Sequence, residues 1–202
     1  MVLNTVCVRP CRRNLRVFLA LCVSLSITAG CVNPATNFRV VEKGRVYRSG
    51  QMNEHQLKRK VRKHDIKTVI NLRGEESDDE WYVRERAVCE EEGAAHYSFD
   101  WSKSRLPEPE SLAALVELLG DAEEPIFIHC LGGTHRTGVA SACVLLDRGN
   151  DLKYARKQLG LFFGDAPIGR VLDLYEGSGL PFREWVADVY PRLYLEEEAA
   201  SN

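Results

Sequence analysis

Residues 126–138, IFIHCLGGTHRTG, constrain the fold of this 202-residue chain more tightly than any other segment. The apolar run at 126–128 predicts a short buried strand, and the apolar spacing at 137–146 predicts a helix. Between them, Gly132 and Gly133 allow a tight turn whose amides point inward. A strand that leads through a glycine turn directly into a helix is typical of α/β domains.

The rest of the chain alternates between strand-like and helix-like patterns. Short apolar runs predict strands at residues 46–48, 68–72 and 95–99. Polar, amphipathic or capped segments predict helices at residues 53–63, 78–92 and 110–119, with further helices near 151–159, 168–176 and 182–190. Gly120 is expected to end the third of these helices. The alternation predicts a single α/β domain with a central, largely parallel sheet of four to five strands flanked by helices.

The loop after residue 128 combines a thiol with an anion-binding backbone. Cys130 lies where the strand ends, and the inward-facing amides lead into the start of the helix. Such a nest binds anions and stabilises a thiolate over a thiol. Arg136 adds a planar guanidinium that can bind two oxygens of a phosphoryl group. Together these groups indicate transfer of a phosphoryl or related anion through a covalent intermediate.

The order His129-Cys130, five residues, Arg136-Thr137 resembles the signature of the cysteine-dependent protein tyrosine phosphatase superfamily. HCLGGTHRTG is most similar to its compact dual-specificity branch, in the bacterial form. The likeness extends over residues 44–191 through the segments GRVYRSGQ, IKTVINLRG and LFFGDAPIGR. The resemblance implies a phosphate-binding loop at a strand-to-helix junction and a phosphatase that uses neither a metal nor a cofactor.

The resemblance also implies roles for individual residues. Cys130 would form a phosphocysteine, and Arg136 would bind the phosphoryl oxygens. Thr137 would hydrogen-bond the thiolate and assist hydrolysis of the intermediate, while His129 would help set the loop conformation. The substrate phosphate would contact the loop residues Leu131, Gly132, Gly133, Thr134, His135 and Arg136.

A general acid must protonate the leaving oxygen of a phosphate ester. The superfamily takes this acid from a loop well before the nucleophile, and Asp100 lies 30 residues before Cys130. Asp100 is therefore the predicted general acid. The weaker candidates are Glu108, Glu110 and Asp165, since a helix start readily explains the two glutamates.

Several polar residues near these segments have two open interpretations. Arg48 and Arg73 are either structural ion-pair partners or ligand contacts. His135 either tunes the substrate charge that the loop accepts or faces solvent. The residues that would rim a cavity are Trp101, Lys103 and Arg105, although Trp101 would equally well pack in the core.

The substrate class stays open among phosphate esters. Phosphotyrosine, and with it phosphoserine and phosphothreonine in proteins, fits the loop chemistry. A phosphoinositide or inositol phosphate fits as well. Leu131 and Thr134 replace lysines common in inositide-directed loops, which favours phosphoprotein. A pseudophosphatase that binds phosphate without turnover, and a sulfurtransferase, are the competing classes.

The first 31 residues have the pattern of an export signal. A basic stretch at 9–16 precedes the apolar run at 17–30, and TAGC at 28–31 resembles a lipoprotein cleavage site. The prediction is a periplasmic or cell-envelope lipoprotein with lipid on Cys31. An N-terminal membrane anchor is the alternative. Residues 32–43 are expected to form a linker, residues 44–191 the catalytic domain, and residues 192–202 an acidic tail whose last part, 196–202, is frayed.

Charge and cysteine content limit the remaining classes. The leader holds four of the 27 basic residues and no acid, so the rest carries 23 basic and 29 acidic residues, a net charge of −6. This balance argues against a nucleic acid partner, which requires a basic face. Cys89 and Cys143 are expected in the core, and no spacing indicates a disulfide framework or a zinc site. The predicted state is a monomer.

Overall fold

The computed structural model describes residues 36–201 as alternating strands and helices. Its five strands are β1 (Arg39–Glu42), β2 (Val46–Gly50), β3 (Thr68–Asn71), β4 (Ala95–Ser98) and β5 (Ile126–Cys130). Its eight α-helices are α1 (Glu54–His64), α2 (Glu80–Glu92), α3 (Pro109–Asp121), α4 (His135–Asp147), α5 (Leu152–Ala155), α6 (Arg170–Tyr175), α7 (Phe182–Asp188) and α8 (Tyr190–Ser201). Short 3-10 turns precede α6 and follow α5.

The strands form one sheet in the order β1-β2-β5-β3-β4. Four strands, β2 to β5, pair in parallel, and β1 joins β2 in the antiparallel sense. The predicted single α/β domain with a largely parallel sheet of four to five strands is therefore confirmed. Strand β1 lies in the segment that was expected to be a linker. No strand was predicted there because β1 is a four-residue edge strand in which only Val41 is buried.

Helices cover both faces of the sheet, and the alternation of side chains along β5 explains why. Ile126 and Ile128 pack into a large core with α3, α4, α6, α7 and α8. Phe127 points to the other face, where Leu57 of α1 and Val88 of α2 pack against it. A strand buried on both faces is typical of parallel sheets, and its sequence is a continuous run of apolar residues.

Two segments at the surface differ from the sequence prediction. Helix α3 continues through Gly120, against which the Arg183 guanidinium packs, and ends at Asp121. Residues 192–201 are helical in α8 and do not form a frayed tail. This helix is held because the Tyr190 hydroxyl is buried and donates a 2.6 Å hydrogen bond to the Pro107 carbonyl, while Tyr194 packs on the large core.

Cys89 and Cys143 are free thiols buried in the two cores, as predicted. Burial raises the pKa of each thiol to about 12. Among residues 36–201 no helix combines the length and apolar content needed to cross a membrane. The expected leader at 1–31 and its Cys31 lie outside the described residues.

Candidate active site

The candidate site lies where β5 ends at the carboxyl edge of the sheet. Cys130 is the last residue of β5 and pairs with Gly50 of β2, so the thiol is flanked by a neighbouring strand. Helix α4 begins at His135, two residues before the predicted helix at 137–146. No side chain caps this helix, and the first-turn amides of a helix have no intrahelical partner. The loop therefore presents unpaired N–H groups beside the thiol.

Two side chains from elsewhere in the chain hold the loop carbonyls. Asn37 Nδ2 donates to the carbonyl oxygens of Gly132 at 3.3 Å and Gly133 at 2.8 Å. Arg48 Nη2 donates to the Gly133 carbonyl at 2.8 Å. Because the C=O and N–H of one peptide point in opposite directions, fixing the carbonyls directs the amides to the other side. The Gly133 N–H accordingly donates to Cys130 Sγ at 3.3 Å.

Only one of the two loop glycines is required by the backbone. Gly133 has φ +67°, and a Cβ there would lie 2.3 Å from the Gly50 nitrogen and 2.5 Å from the Ser49 carbonyl carbon. A Cβ on Gly132 would meet nothing within 4 Å. The tight turn predicted from both glycines thus depends on Gly133, which allows β2 and the loop to pack backbone against backbone.

Arg48 places a guanidinium beneath the loop without a counter-ion. Its side chain is 1% exposed and, within the described part of the chain, takes part in no ion pair. Besides the Gly133 carbonyl, it donates to the Gln158 carbonyl at 2.6 Å. Burial lowers the pKa of Arg48 to about 10, and the nearby charge of Arg39 acts in the same direction. Arg48 is therefore neither an ion-pair partner nor a ligand contact but a support for the loop.

Arg136 links the loop to the segment expected to supply the acid. Its Nη1 donates to the carbonyls of Leu72 at 3.0 Å and Trp101 at 3.1 Å. No ion pair involves Arg136 among residues 36–201, so its charge is not neutralised by a carboxylate. Arg73 lies close by, and the Arg136 charge adds to burial in lowering the pKa of Arg73. The site consequently carries strong positive charge.

His129 points away from the loop into a buried polar cluster on the opposite face. Its Nε2 lies 2.9 Å from Glu85 Oε1, and His96 Nε2 contacts the same oxygen at 2.9 Å. Gln51 donates to Glu85 Oε2 at 2.7 Å and accepts from Arg73 at 2.9 Å. Arg73 itself lies 3.6 Å over the Trp81 ring, so its alternative as an ion-pair partner is replaced by this cation–π contact.

Glu85 carries a buried negative charge behind the thiol. Burial opposes ionisation and would raise the pKa of Glu85, but the charge and hydrogen bond of His129, together with the hydrogen bonds of His96 and Gln51, lower it to about 2. A carboxylate that is 4% exposed and bonded on both oxygens is stable as an anion. The cluster thereby fixes the ring of His129 beside Cys130.

Thr137 lies in the first turn of α4 and is completely buried. Its Oγ1 has no hydrogen-bond partner among the described residues, so the expected bond to the sulfur is not formed here. A buried hydroxyl without a partner is costly unless another state of the site satisfies it. The role implied for Thr137 stays a prediction.

The thiol opens into a cavity of about 600 Å³. Two segments line it: residues 100–105 on one side, and the loop residues Cys130, Leu131, Gly132, Thr134, His135 and Arg136 on the other. Asp100 thus reaches the same cavity as Cys130. The Asp100 carboxyl packs on Gly74, where a Cβ would lie only 3.3 Å from its Oδ1. Lys103 and Arg105 add two exposed cations to the lining, so the cavity favours anions.

The other acid candidates lie elsewhere. Glu108 lines a separate small cavity of about 130 Å³, and Asp165 lines a groove formed with Arg170. Glu110 is exposed in the first turn of α3. Only Asp100 among the four candidates lines the cavity that contains Cys130. Within the described residues the structure therefore favours Asp100.

Trp101 and His135 both line the cavity and also pack against the rest of the protein. Trp101 is 2% exposed and packs in the large core, while its Nε1 donates to Ser111 Oγ at 2.9 Å. It lines the cavity from this fixed position. His135 lines the cavity and also contacts the Phe163 ring, with centroids 5.4 Å apart. Its ring is therefore held against the protein.

The sequence reasoning missed the supporting residues Glu85 and Asn37, and it did not assign Arg48 its role as a support for the loop. Glu85 occupies the helical spacing of the buried face of α2, with Tyr82 and Val88 on the same side, and an acid at such a position signals a buried partner. Arg48 interrupts an otherwise uncharged strand, which is a comparable signal. Asn37 lies in a segment without any pattern, and nothing local indicates its role.

No group of three His, Cys, Asp or Glu side chains within residues 36–201 could hold a metal ion.

Fold and site together define a phosphatase of the tyrosine phosphatase superfamily. The sequence profile described as "Tyrosine phosphatase family" matches residues 30–153, more than half of the chain. The chain belongs to the tyrosine phosphatase family. A search of curated protein sequences finds no match.

Solved structures share this fold at low sequence identity. TpbA of P. aeruginosa is 21% identical, covers 78% of this chain and 94% of its own, and superposes with a TM-score of 0.57. The core catalytic domain of the PP-IP phosphatase SIW14 from S. cerevisiae is 18% identical, covers 80% and 93%, and has a TM-score of 0.52. At these identities the likeness shows the fold.

The two loop glycines provide a matched test of the turn. Gly133→Ala should lower the free energy of unfolding by more than about 2 kcal/mol, because a Cβ meets the Ser49-Gly50 backbone and the positive φ is strained. Gly132→Ala should change it by less than about 0.5 kcal/mol. Urea unfolding of both variants measures the difference. Equal effects would contradict the geometry described here.

The lowered pKa of Glu85 predicts that the free energy of unfolding decreases in acid. Its folded pKa of about 2 lies below the ordinary 4.5, so its contribution is complete above about pH 5 and is lost as the pH falls towards 2. Glu85→Gln should flatten this part of the pH dependence of the unfolding free energy. Glu90→Gln, an exposed change on the same helix, should leave it as in the wild type. Unfolding curves from pH 7 down to pH 2 measure both.

Proposed function

We propose that this chain hydrolyses phosphate monoesters through a phosphocysteine at Cys130. In the first step the thiolate attacks phosphorus, the P–S bond forms, and the bond to the ester oxygen breaks. Asp100 gives its proton to that leaving oxygen, which departs as an alcohol or phenol. The loop amides and the Arg136 guanidinium bind the phosphoryl oxygens, where negative charge is concentrated.

In the second step water replaces the sulfur. The Asp100 carboxylate takes a proton from water as the water oxygen attacks phosphorus and the P–S bond breaks. Inorganic phosphate leaves, the thiolate is restored, and Asp100 is protonated again for the next cycle. The ester and one water are thereby converted to an alcohol and phosphate.

One observation carries the proposal. The Gly133 N–H donates to Cys130 Sγ from a loop whose carbonyls are bound by Asn37 and Arg48. Hydrogen-bond donors that face a sulfur favour its ionised form and at the same time form an oxyanion cradle. An incidental core cysteine has no need of such donors, and Cys143 lies in the core as a free, fully buried thiol.

Phosphotyrosine in proteins is the proposed substrate class, with phosphoserine and phosphothreonine as further substrates. TpbA has been solved in complex with phosphotyrosine, which supports this choice by likeness of fold. The exposed, uncharged Leu131 at the cavity entrance also suits an aromatic ester.

A second substrate class is favoured by the cavity wall. Lys103 and Arg105 line the cavity opposite the loop and would bind additional phosphates of an inositol phosphate or phosphoinositide. The SIW14 relative is a PP-IP phosphatase. Turnover of phosphotyrosine peptides and of inositol phosphates by the wild type ranks the two classes. Phosphate binding without turnover of any ester would instead indicate a pseudophosphatase.

We also propose that the protein acts in the cell envelope as a lipoprotein. The basic stretch, the apolar run at 17–30 and Cys31 support this location. Mass spectrometry of the mature N-terminus would detect cleavage before Cys31 and a lipid on its sulfur.

The nucleophile and the guanidinium are tested by substitution. Cys130→Ser should lower kcat on an aryl phosphate at least about 10³-fold, and Arg136→Lys about 10²-fold because a point charge cannot replace the planar fork. Cys143→Ala, a buried thiol on α4, should retain activity if the variant folds. EDTA should have no effect. Activity that survives Cys130→Ser and disappears with EDTA would refute the mechanism.

The general acid is tested by the leaving group. Asp100→Asn should lower kcat about 10²-fold or more on phosphotyrosine, and less on p-nitrophenyl phosphate, whose leaving oxygen needs little protonation. Glu108→Gln and Asp165→Asn should leave both rates close to the wild type. A larger loss from either control than from Asp100→Asn would reassign the acid.

A further inference from the structure

The loop between the 3-10 turn after α5 and the one before α6 exposes two large apolar side chains. Leu161 is 98% exposed and Phe162 is 84% exposed, more than any other large apolar residue of the described chain. Gly160 and Gly164 on either side have φ of +69° and +59°, which turns the chain sharply out and back. We name residues 160–164 the apolar tip.

The apolar tip is attached firmly at its base. The next residue, Phe163, is 6% exposed, packs in the large core and contacts the His135 ring. A Cβ on Gly169 would lie 2.7 Å from the Phe163 ring, so this ring fits closely against the backbone. The buried ring of Phe163 fixes the conformation of the turn. In this fixed conformation Leu161 and Phe162 are exposed to solvent.

The tip lies on the same face as the active-site cavity. His135 lines the cavity and contacts Phe163. On the other side, the Arg39 guanidinium lies 3.4 Å from where a Cβ of Gly160 would be, and Asn37, two residues earlier, binds the loop carbonyls. The cavity entrance, the start of the described chain and the tip are therefore neighbours.

Basic side chains accompany the tip. Arg39, Lys153 and Lys157 are exposed and take part in no ion pair within residues 36–201, and Lys157 Nζ lies 5.0 Å from the exposed Tyr154 ring. At the cavity, the Lys103 carbonyl accepts a hydrogen bond from the Ile168 amide, which places that lysine beside the same loop. Asp165 follows the tip directly in sequence and, with Asp173, lines a groove that also contains Arg156 and Arg170.

We propose that the apolar tip inserts into the interfacial region of a lipid bilayer, with the catalytic cavity facing the anionic headgroups. Two protruding apolar side chains bordered by cations fit such an interface, where the apolar groups enter the acyl boundary and the cations meet headgroup phosphates. A flat protein partner would need a broader apolar patch than two side chains provide.

The short stretch of chain between Cys31 and Thr36 supports this orientation. Four residues separate Cys31 from Thr36, so their Cα atoms are at most about 18 Å apart even in a fully extended chain. Thr36 lies at this face, because its carbonyl accepts a hydrogen bond from the Gly50 amide at 2.7 Å. An anchor at Cys31 would thus hold the tip side of the domain near the bilayer. The contribution of an anchor at Cys31 depends on the cell-envelope location proposed above, whereas the contacts and charges of the tip do not.

The test measures whether residue 162 contacts lipid chains. The full-length chain is reconstituted on phosphatidylcholine and phosphatidylglycerol vesicles that carry either ordinary or brominated acyl chains. Relative to the wild type, the added emission of Phe162→Trp should shift to shorter wavelength and be mostly lost with brominated chains. Tyr97→Trp, an exposed position on β4 at the opposite edge of the sheet, should keep its emission.

Any other outcome of the experiment with brominated lipid would overturn the proposal. Phe162→Trp emission that resists brominated lipid, or that is quenched no more than Tyr97→Trp, would show that the tip stays outside the bilayer. A shift that depends on protein concentration and not on lipid would assign the tip to contacts between copies. Turnover of a soluble aryl phosphate by the same samples is measured separately, so a failure of the catalytic proposal is read independently.

Discussion

The site depends on the hydrogen bonds that bind the loop carbonyls from behind. Arg48 and Asn37 hold the carbonyl oxygens of Gly132 and Gly133, and only then do the amides of the same loop face Cys130. A loop of this kind would otherwise point its carbonyl dipoles at an anion as readily as its amides. The buried guanidinium is costly to desolvate, and its bonds to carbonyls offset that cost.

Charge is distributed on two sides of the sheet. Arg48, Arg73 and Arg136 create positive potential around the loop, while Glu85 holds His129 from the opposite face with its own buried negative charge. Within residues 36–201 no carboxylate pairs with the guanidinium of Arg136, so an anion that enters the cavity can neutralise it. The same excess of positive charge favours anions in the cavity, although the chain outside residues 1–31 is acidic.

Most of the fold could be predicted, because strands buried on both faces and amphipathic helices carry strong local patterns. The departures have tertiary causes. Strand β1 has one buried residue and is defined by its pairing with β2. Helix α3 passes Gly120 because Arg183 packs there, and α8 persists because Tyr190 and Tyr194 pack on the core. In each case contacts distant in sequence outweighed a local signal.

The sequence by itself determined the candidate nucleophile and its loop, since Cys130 to Arg136 are contiguous and strand, turn and helix signals follow one another without interruption. It also indicated Asp100, by its position after a strand. Only the tertiary structure decided which groups make that loop work. Asn37, Arg48 and Glu85 lie far from it along the chain and reach it because the parallel sheet places β2 beside β5 and helix α2 against its opposite face. Hydrogen bonds act over a few ångströms in space, and sequence distance carries no information about them.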